Sequence, residues 1–103
     1  SKDMTDLKTL NENQLAEIFE GIPQAEVSLS EISEGIDIIT LLNEKTGFTA
    51  SNGEARRALK ENSISVNKEK VTEDFVLKTN DLVGNKFVLL QRGKKNYFVV
   101  RAI

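Results

Sequence analysis

The stretch KFVLLQRGKKNYFVVR, residues 86–101, holds two runs rich in β-branched and aromatic residues, 86–91 and 96–101, separated by Arg92-Gly93-Lys94-Lys95. Side chains of this kind fit a pleated surface, and a glycine between the runs supplies the backbone freedom that a reversal needs. The stretch reads as a β-hairpin with a four-residue loop, a usual length for such a connection. The same reading puts three cations, Arg92, Lys94 and Lys95, at the tip of a stiff element.

Toward the N-terminus the period of two persists. Ile64 and Val66 alternate with Ser65 and Asn67, Asn67-Lys68 stands where a tight hairpin turn belongs, and Val71 resumes an extended direction. Before Ser63 the period is helical. Ser51-Asn52-Gly53-Glu54 forms a capping box, with the Ser51 hydroxyl accepting from the Glu54 amide and the Glu54 carboxylate returning to the cap, and it opens a helix that ends near Asn62. Ile36, Ile39 and Leu42, widened by Ile38 and Leu41, predict another helix over about 33–43. An earlier helix starts at Asn11, with Gln14 as capping-box partner and Leu10 and Leu15 as a hydrophobic staple. It carries Leu15, Ile18 and Phe19 on one face and stops at Gly21 and Pro23. Ala25, Val27 and Leu29 alternate with polar residues, which predicts a short extended segment, and the polar piece before Leu10 reads as a frayed end. Helices first and strands last argue for an α+β domain, a small helical N-terminal part followed by an antiparallel sheet. The division expected is a linker with one short helix over 1–30 and the core over 31–103.

Composition narrows the chemistry. The 103 residues include no histidine and no cysteine, which removes imidazole bases, thiolate nucleophiles and the usual zinc ligands. No catalytic residues are expected, since the carboxylates sit on helix surfaces and helix starts where solvent and the helix dipole account for them. No metal or cofactor is expected for the chain itself. Neither an apolar run of membrane-spanning length nor a charged leader with an apolar core is present, so a cytoplasmic protein without a membrane partner is expected. The opening Ser-Lys-Asp-Met suggests a piece of something longer.

The net charge of -2 hides a division. Residues 1–50 carry three lysines against ten acids, a balance of -7, and residues 51–103 carry eleven Lys and Arg against six acids, a balance of +5. A polyanionic partner would therefore meet the second half. On a wheel of the helix beginning at Ser51, at about 100° per residue, Ala55, Ala58 and Leu59 form the apolar arc. Arg56 and Lys60 share one flank, whereas Glu54, Arg57 and Glu61 share the other. Arg57 is expected to be neutralised by acids three residues before and four after, leaving Arg56 and Lys60 free. This pattern reads as a binder of nucleic acid rather than as an enzyme.

Those residues carry a resemblance. Ser51-Asn52-Gly53-Glu54-Ala55-Arg56-Arg57 followed by Ile64-Ser65-Val66-Asn67 resembles the alpha-L RNA-binding motif, a helix-turn-helix-strand unit shared by a ribosomal protein, pseudouridine synthases and bacterial tyrosyl-tRNA synthetases. The ending from Phe87 through Arg92-Gly93-Lys94-Lys95-Asn96-Tyr97, together with Gly21-Ile22-Pro23, is similar to the C-terminal tRNA-binding domain of bacterial-type tyrosyl-tRNA synthetases. The resemblance implies a module that grips the variable arm and anticodon stem of tyrosine tRNA. It further implies a longer parent, an ATP-dependent tyrosine-tRNA ligase with ATP and tyrosine as its ligands. The parent is expected to be a homodimer and the fragment a monomer. The RNA-binding residues implied are Ser51, Asn52, Arg56, Lys60, Asn67, Lys68, Lys70, Arg92, Lys94 and Lys95. Asn52 stands where a basic residue is common, and Lys68 stands where glycine usually follows the asparagine, which predicts a less tight turn.

The physics suits that role. A-form RNA hides its base edges in a deep, narrow groove, so a protein reads phosphates, 2′-hydroxyls and shape. Cations on a helix flank and on two turns can follow such a backbone if they converge in space, and about six contacts would cost roughly a thousandfold in affinity between 50 and 200 mM salt. Two alternatives are an alpha-L protein acting on ribosomal RNA or of the pseudouridine synthase type, and a protein interaction module that docks a partner through Leu15, Ile18 and Phe19 of the acidic half.

Overall fold

The computed structural model describes Leu7 and residues 9–103. Helix α1, Glu12–Ile18, opens with the full capping box: the Asn11 side chain accepts from the Gln14 amide at 2.9 Å, and the Gln14 side chain accepts from the Asn11 amide at 3.0 Å. Leu15 and Phe19 are fully buried and Leu10 packs against the same cluster. Of the docking residues expected, Leu15 and Phe19 are therefore core, and Ile18 is half-buried against the same cluster. Of the segment before Leu10, Leu7 is buried at 2% exposure in that cluster and is no frayed end. The remainder of that expectation falls mainly on residues 1–6 and 8, outside the described residues.

Strand β1, Gln24–Val27, confirms a short extended segment, but Leu29 lies beyond it. Ser28 caps a new helix, α2, Leu29–Glu34, and Leu29 faces solvent at 45% exposure. The single helix expected over 33–43 is broken at Gly35, whose φ of +99° ends α2 and whose Cα approaches Val76 so closely that an added Cβ would sit 3.0 Å from Val76 Cγ1. A short strand, β2, Ile36–Asp37, follows. Asp37 then caps α3, Ile38–Thr40, which runs into a π-helical turn, Leu41–Lys45. Thr46 closes that turn by donating its hydroxyl to the carbonyls of Leu41 and Leu42 at 2.8 and 3.1 Å.

Helix α4, Asn52–Lys60, is capped by Ser51 and buries Ala55, Ala58 and Leu59, the arc expected. Strands β3, Ile64–Val66, and β4, Glu69–Lys70, pair antiparallel around Asn67-Lys68. Both turn residues have positive φ, 51° and 72°, so this is a tight two-residue turn of the mirror-image kind favoured by strand twist. The lysine does not loosen it; it accepts a left-handed conformation that costs roughly 1 kcal/mol. After β5, Val76–Leu77, and a 3-10 turn, Thr79–Asp81, come β6, Phe87–Arg92, and β7, Asn96–Ala102. The hairpin is as expected, but Arg92 pairs with Asn96 and belongs to the strand, leaving a three-residue loop of Gly93, Lys94 and Lys95.

The main sheet has the order β1-β7-β6-β3-β4, and β2 pairs with β5 in a separate ribbon. The fold is α+β, mostly antiparallel, with one departure: β1 runs parallel to β7, Gln24 opposite Val99 through Val27 opposite Ala102. Strand β1 lies ahead of the boundary expected at residue 30 yet forms an edge of the sheet. Alternate residues send Val88, Leu90 and Val100 to the face covered by α2, α3 and α4, and Phe87, Leu89 and Val99 to the face covered by α1. A strand covered on both sides needs apolar residues without alternation, which is why β6 opens with the unbroken run Phe87-Val88-Leu89-Leu90.

Candidate nucleic-acid interface

Hydrogen bonds gather the hairpin tip, β4 and the end of α4 at one end of the sheet. The Ser63 amide donates to the Ala58 carbonyl at 3.1 Å, the Gly93 amide donates to the Ser63 carbonyl at 2.9 Å, and Lys70 Nζ donates to the Asn62 carbonyl at 2.7 Å. Arg92 reaches back to the first turn of α4, where its guanidinium pairs with the Glu54 carboxylate. Gly93, with φ of +69°, turns the chain at the tip, and an added Cβ there would meet nothing within 4 Å. Gln91 braces the loop through bonds from its amide to the carbonyls of Gly93 and Lys94 at 2.9 and 3.4 Å.

The ten residues singled out divide by what their side chains do. Ser51 is used by its own helix, its hydroxyl accepting from the Glu54 amide at 3.0 Å. The return half of that capping box is not made, because the Glu54 carboxylate turns to Arg92 instead. Asn52 accepts from the Asn43 side chain at 3.0 Å. Asn67 is committed on both sides of its amide: Nδ2 donates to the Asp81 carbonyl at 2.6 Å and Oδ1 accepts from the Leu89 amide at 2.9 Å. It holds the β3–β4 turn against β6 and has little left to offer a ligand.

The cations behave differently. Arg56, Lys60, Lys94 and Lys95 are exposed and make no ion pair among the described residues. Lys68 donates to the Tyr97 hydroxyl at 3.1 Å and lies 5.0 Å from the centre of that ring. Its partner, like the carbonyl that holds Lys70, is neutral, so both lysines are oriented without losing their charge. Arg92 is the exception, since Glu54 offsets it; both side chains are 30% exposed. The expected partner of Glu54 was Arg57, which makes no ion pair among the described residues.

The sheet separates some of these groups. Lys70, Ser65, Gln91 and Tyr97 are cross-strand neighbours, so they share one face, and it is the face of Val99 and Leu89 rather than the one α4 covers. Glu54 and Arg56 lie on opposite flanks of α4, so the Glu54–Arg92 pair sets the hairpin tip beside the acidic flank, not beside Arg56. A single ridge running from Arg56 through Arg92 is therefore not formed: Lys70, Lys94 and Lys95 stand on the elements joined by the contacts above, whereas Arg56 and Lys60 share the other flank of α4.

Sequence reasoning passes over Phe48. Beside the tip, a groove of about 510 Å³ is lined by Phe48, Lys95, Asn96, Tyr97, Phe98 and Pro23 among others. Thr46 Oγ1 accepts from the Phe48 amide at 3.1 Å, and the Phe48 ring packs on Phe98 at 5.6 Å between centres. A lone aromatic in a glycine-containing loop was the only signal available. The groups with perturbed pKa lie elsewhere. The Asp37 carboxyl is held below its usual range by the hydroxyl and amide of Thr40, and Lys45 is raised by its bond to Glu31 at 2.5 Å.

Comparison with known proteins gives this geometry its context. The chain is 63% identical over 98 residues to the Tyrosine--tRNA ligase of Flavobacterium johnsoniae, covering 95% of this chain and 23% of that protein. It is 41% identical over 97 residues to the Tyrosine--tRNA ligase of Bacteroides fragilis, covering 93% of this chain and 23% of the relative. The corresponding enzyme of Porphyromonas gingivalis is 37% identical over 95 residues, covering 91% and 22%. The chain thus spans less than a quarter of the length of these relatives. The family model described as Tyrosine--tRNA ligase SYY-like C-terminal domain matches residues 14–100, and the chain belongs to that family.

Proposed function

We propose that this chain is the tRNA-binding arm of a tyrosine--tRNA ligase, gripping the variable arm and anticodon stem of tyrosine tRNA through its cationic end. In this reading the segment from α4 through β4 is an alpha-L type RNA-binding motif, and aminoacylation with ATP and tyrosine belongs to the portion of the parent beyond this chain. The observation that carries the proposal is that Lys94 and Lys95 make no ion pair among the described residues and stand on a hairpin tip bonded through Gly93 to the turn after α4, in a chain that belongs to this synthetase family. Lys68 and Lys70 support it, because a charge already oriented by a neutral partner loses less side-chain entropy on meeting a phosphate. Ser51, Asn52 and Asn67 contribute by holding the frame. Arg56 and Lys60, on the other flank of α4, would be met by RNA that crosses that helix.

The test is a titration of the chain with tyrosine tRNA, intact and lacking its variable arm, repeated with the Lys94→Ala/Lys95→Ala variant. Intact tRNA should bind more tightly than the truncated form, and the variant should lose at least about tenfold in affinity for intact tRNA and have a shallower salt dependence. Equal affinity for both tRNAs, or an unchanged variant, would place the contact elsewhere.

A further inference from the structure

Strand β7 has an open stretch of edge beside the groove. The Ala102 amide donates toward β6, to the Lys86 carbonyl at 2.8 Å, whereas the Val99 and Ile103 amides donate toward β1, to the carbonyls of Pro23 and Val27 at 2.9 and 3.0 Å. Backbone direction alternates along a strand, so Tyr97 also aims its N–H and C=O at the β1 side. There the pairing has stopped: β1 begins opposite Val99. The residue positioned to donate to the Tyr97 carbonyl is Pro23, which has no N–H. A donor and an acceptor therefore stand side by side next to Phe48, Asn96 and Lys95.

We infer that this groove takes one unstacked nucleotide of the bound RNA, its base against Phe48 with an edge on the Tyr97 backbone, and its phosphate on Lys95. The inference rests on the RNA-binding reading above. A base supplies the needed combination of a flat face with adjacent donor and acceptor, and its phosphate complements a cation that has no acid partner among the described residues. An added peptide strand is the weaker occupant. Only one residue of β7 presents free edge groups, too few for a ladder, and the flanking charges favour a polyanion. The Tyr97 ring is not the stacking surface in this arrangement, since Lys68 lies over it.

The chain contains one tyrosine and no tryptophan, so its intrinsic fluorescence, like the Tyr97 amide resonance, reports on this position alone. The probes are single-stranded hexaadenylate RNA and a short blunt RNA duplex, titrated into the unmodified chain and into Phe48→Leu, which keeps an apolar side chain against Phe98 while removing the ring. Hexaadenylate should shift the Tyr97 amide and change the fluorescence, and Phe48→Leu should weaken hexaadenylate binding by at least about fivefold while leaving the duplex within about twofold. A Tyr97 amide that ignores hexaadenylate, or a Phe48→Leu variant that weakens both RNAs alike or neither, overturns the inference while duplex binding upholds the function proposed above. Failure of both RNAs to bind overturns that function too. A strand-forming peptide that shifts Tyr97 where RNA does not would assign the edge to protein.

Discussion

Glu54→Gln is the perturbation that most directly probes the charge of the proposed interface. In the folded chain Arg92 is committed to Glu54, so among the described residues the hairpin tip offers two cations without an ion pair, Lys94 and Lys95, rather than three. With both side chains 30% exposed, the pair has the worth of a surface salt bridge, up to about 1 kcal/mol. Removing the acid from the first turn of α4 costs about another 0.3–1 kcal/mol, which a domain of ordinary stability, about 5–15 kcal/mol, absorbs without unfolding. The gain is one guanidinium released to meet phosphate. One further counterion displaced steepens the dependence of log affinity on log salt by about 0.9, so the loss between about 50 and 200 mM salt grows a further three- to fourfold. The assay is fluorescence anisotropy of labelled tyrosine tRNA across a salt series. Arg92→Gln, by contrast, should leave the slope nearly unchanged. If Arg92→Gln flattens the slope by about one while Glu54→Gln leaves it alone, Arg92 contacts phosphate in spite of its partner and the reasoning is refuted.

Other outcomes follow from the same contacts. Asn67→Ala should destabilise the chain by about 1–3 kcal/mol in urea unfolding, because the Leu89 amide and the Asp81 carbonyl both lose their partner; RNA affinity measured on the folded fraction should hardly change. Phe19→Ala, at a fully buried ring that meets Phe87 edge-on at 5.5 Å, should cost about 3–5 kcal/mol in the same measurement. Asp37→Ala should cost about 0.5–2 kcal/mol near neutral pH through loss of the α3 cap. Thr40 lowers the Asp37 pKa below 3.8, so the native cap contributes fully above the ordinary carboxylate range and loses its contribution as pH falls through the folded value. The stability difference between the native chain and the variant should stay level from about pH 5 to 8 and shrink below about pH 4.

What the sequence reveals here is what depends on near neighbours. Asn11 and Gln14 meet across one helical turn, Ser51 caps its own helix, and the hairpin from Phe87 to Ala102 closes over three loop residues, so each is readable from a few adjacent letters. Gly35 was not readable as a break, because the apolar spacing runs through it and the close approach of Val76 exists only once the chain has folded. The parallel partner of β1 lies more than seventy residues away, and nothing local announces it. The candidate site divides in the same way. Exposure of Lys94 and Lys95 follows from their place in a turn. Glu54 instead had a choice between a local cap and an arginine 38 residues distant, and the distant charge won. The arginine pair joins two ionised groups where the cap would join one to a backbone amide, a difference that local propensity does not weigh. Asn67 was legible as a turn residue, but its partners at Asp81 and Leu89 come from tertiary packing.

Mapping tyrosine tRNA onto the chain by amide chemical shifts tests the central claim most directly. Progressive shifts should centre on residues 92–96, 60–63 and 68–70, with Leu29 and Val76, the exposed apolar residues of α2 and β5, left unmoved. Shifts confined to α1, α2 and the β2–β5 ribbon, with the hairpin tip silent, would contradict it.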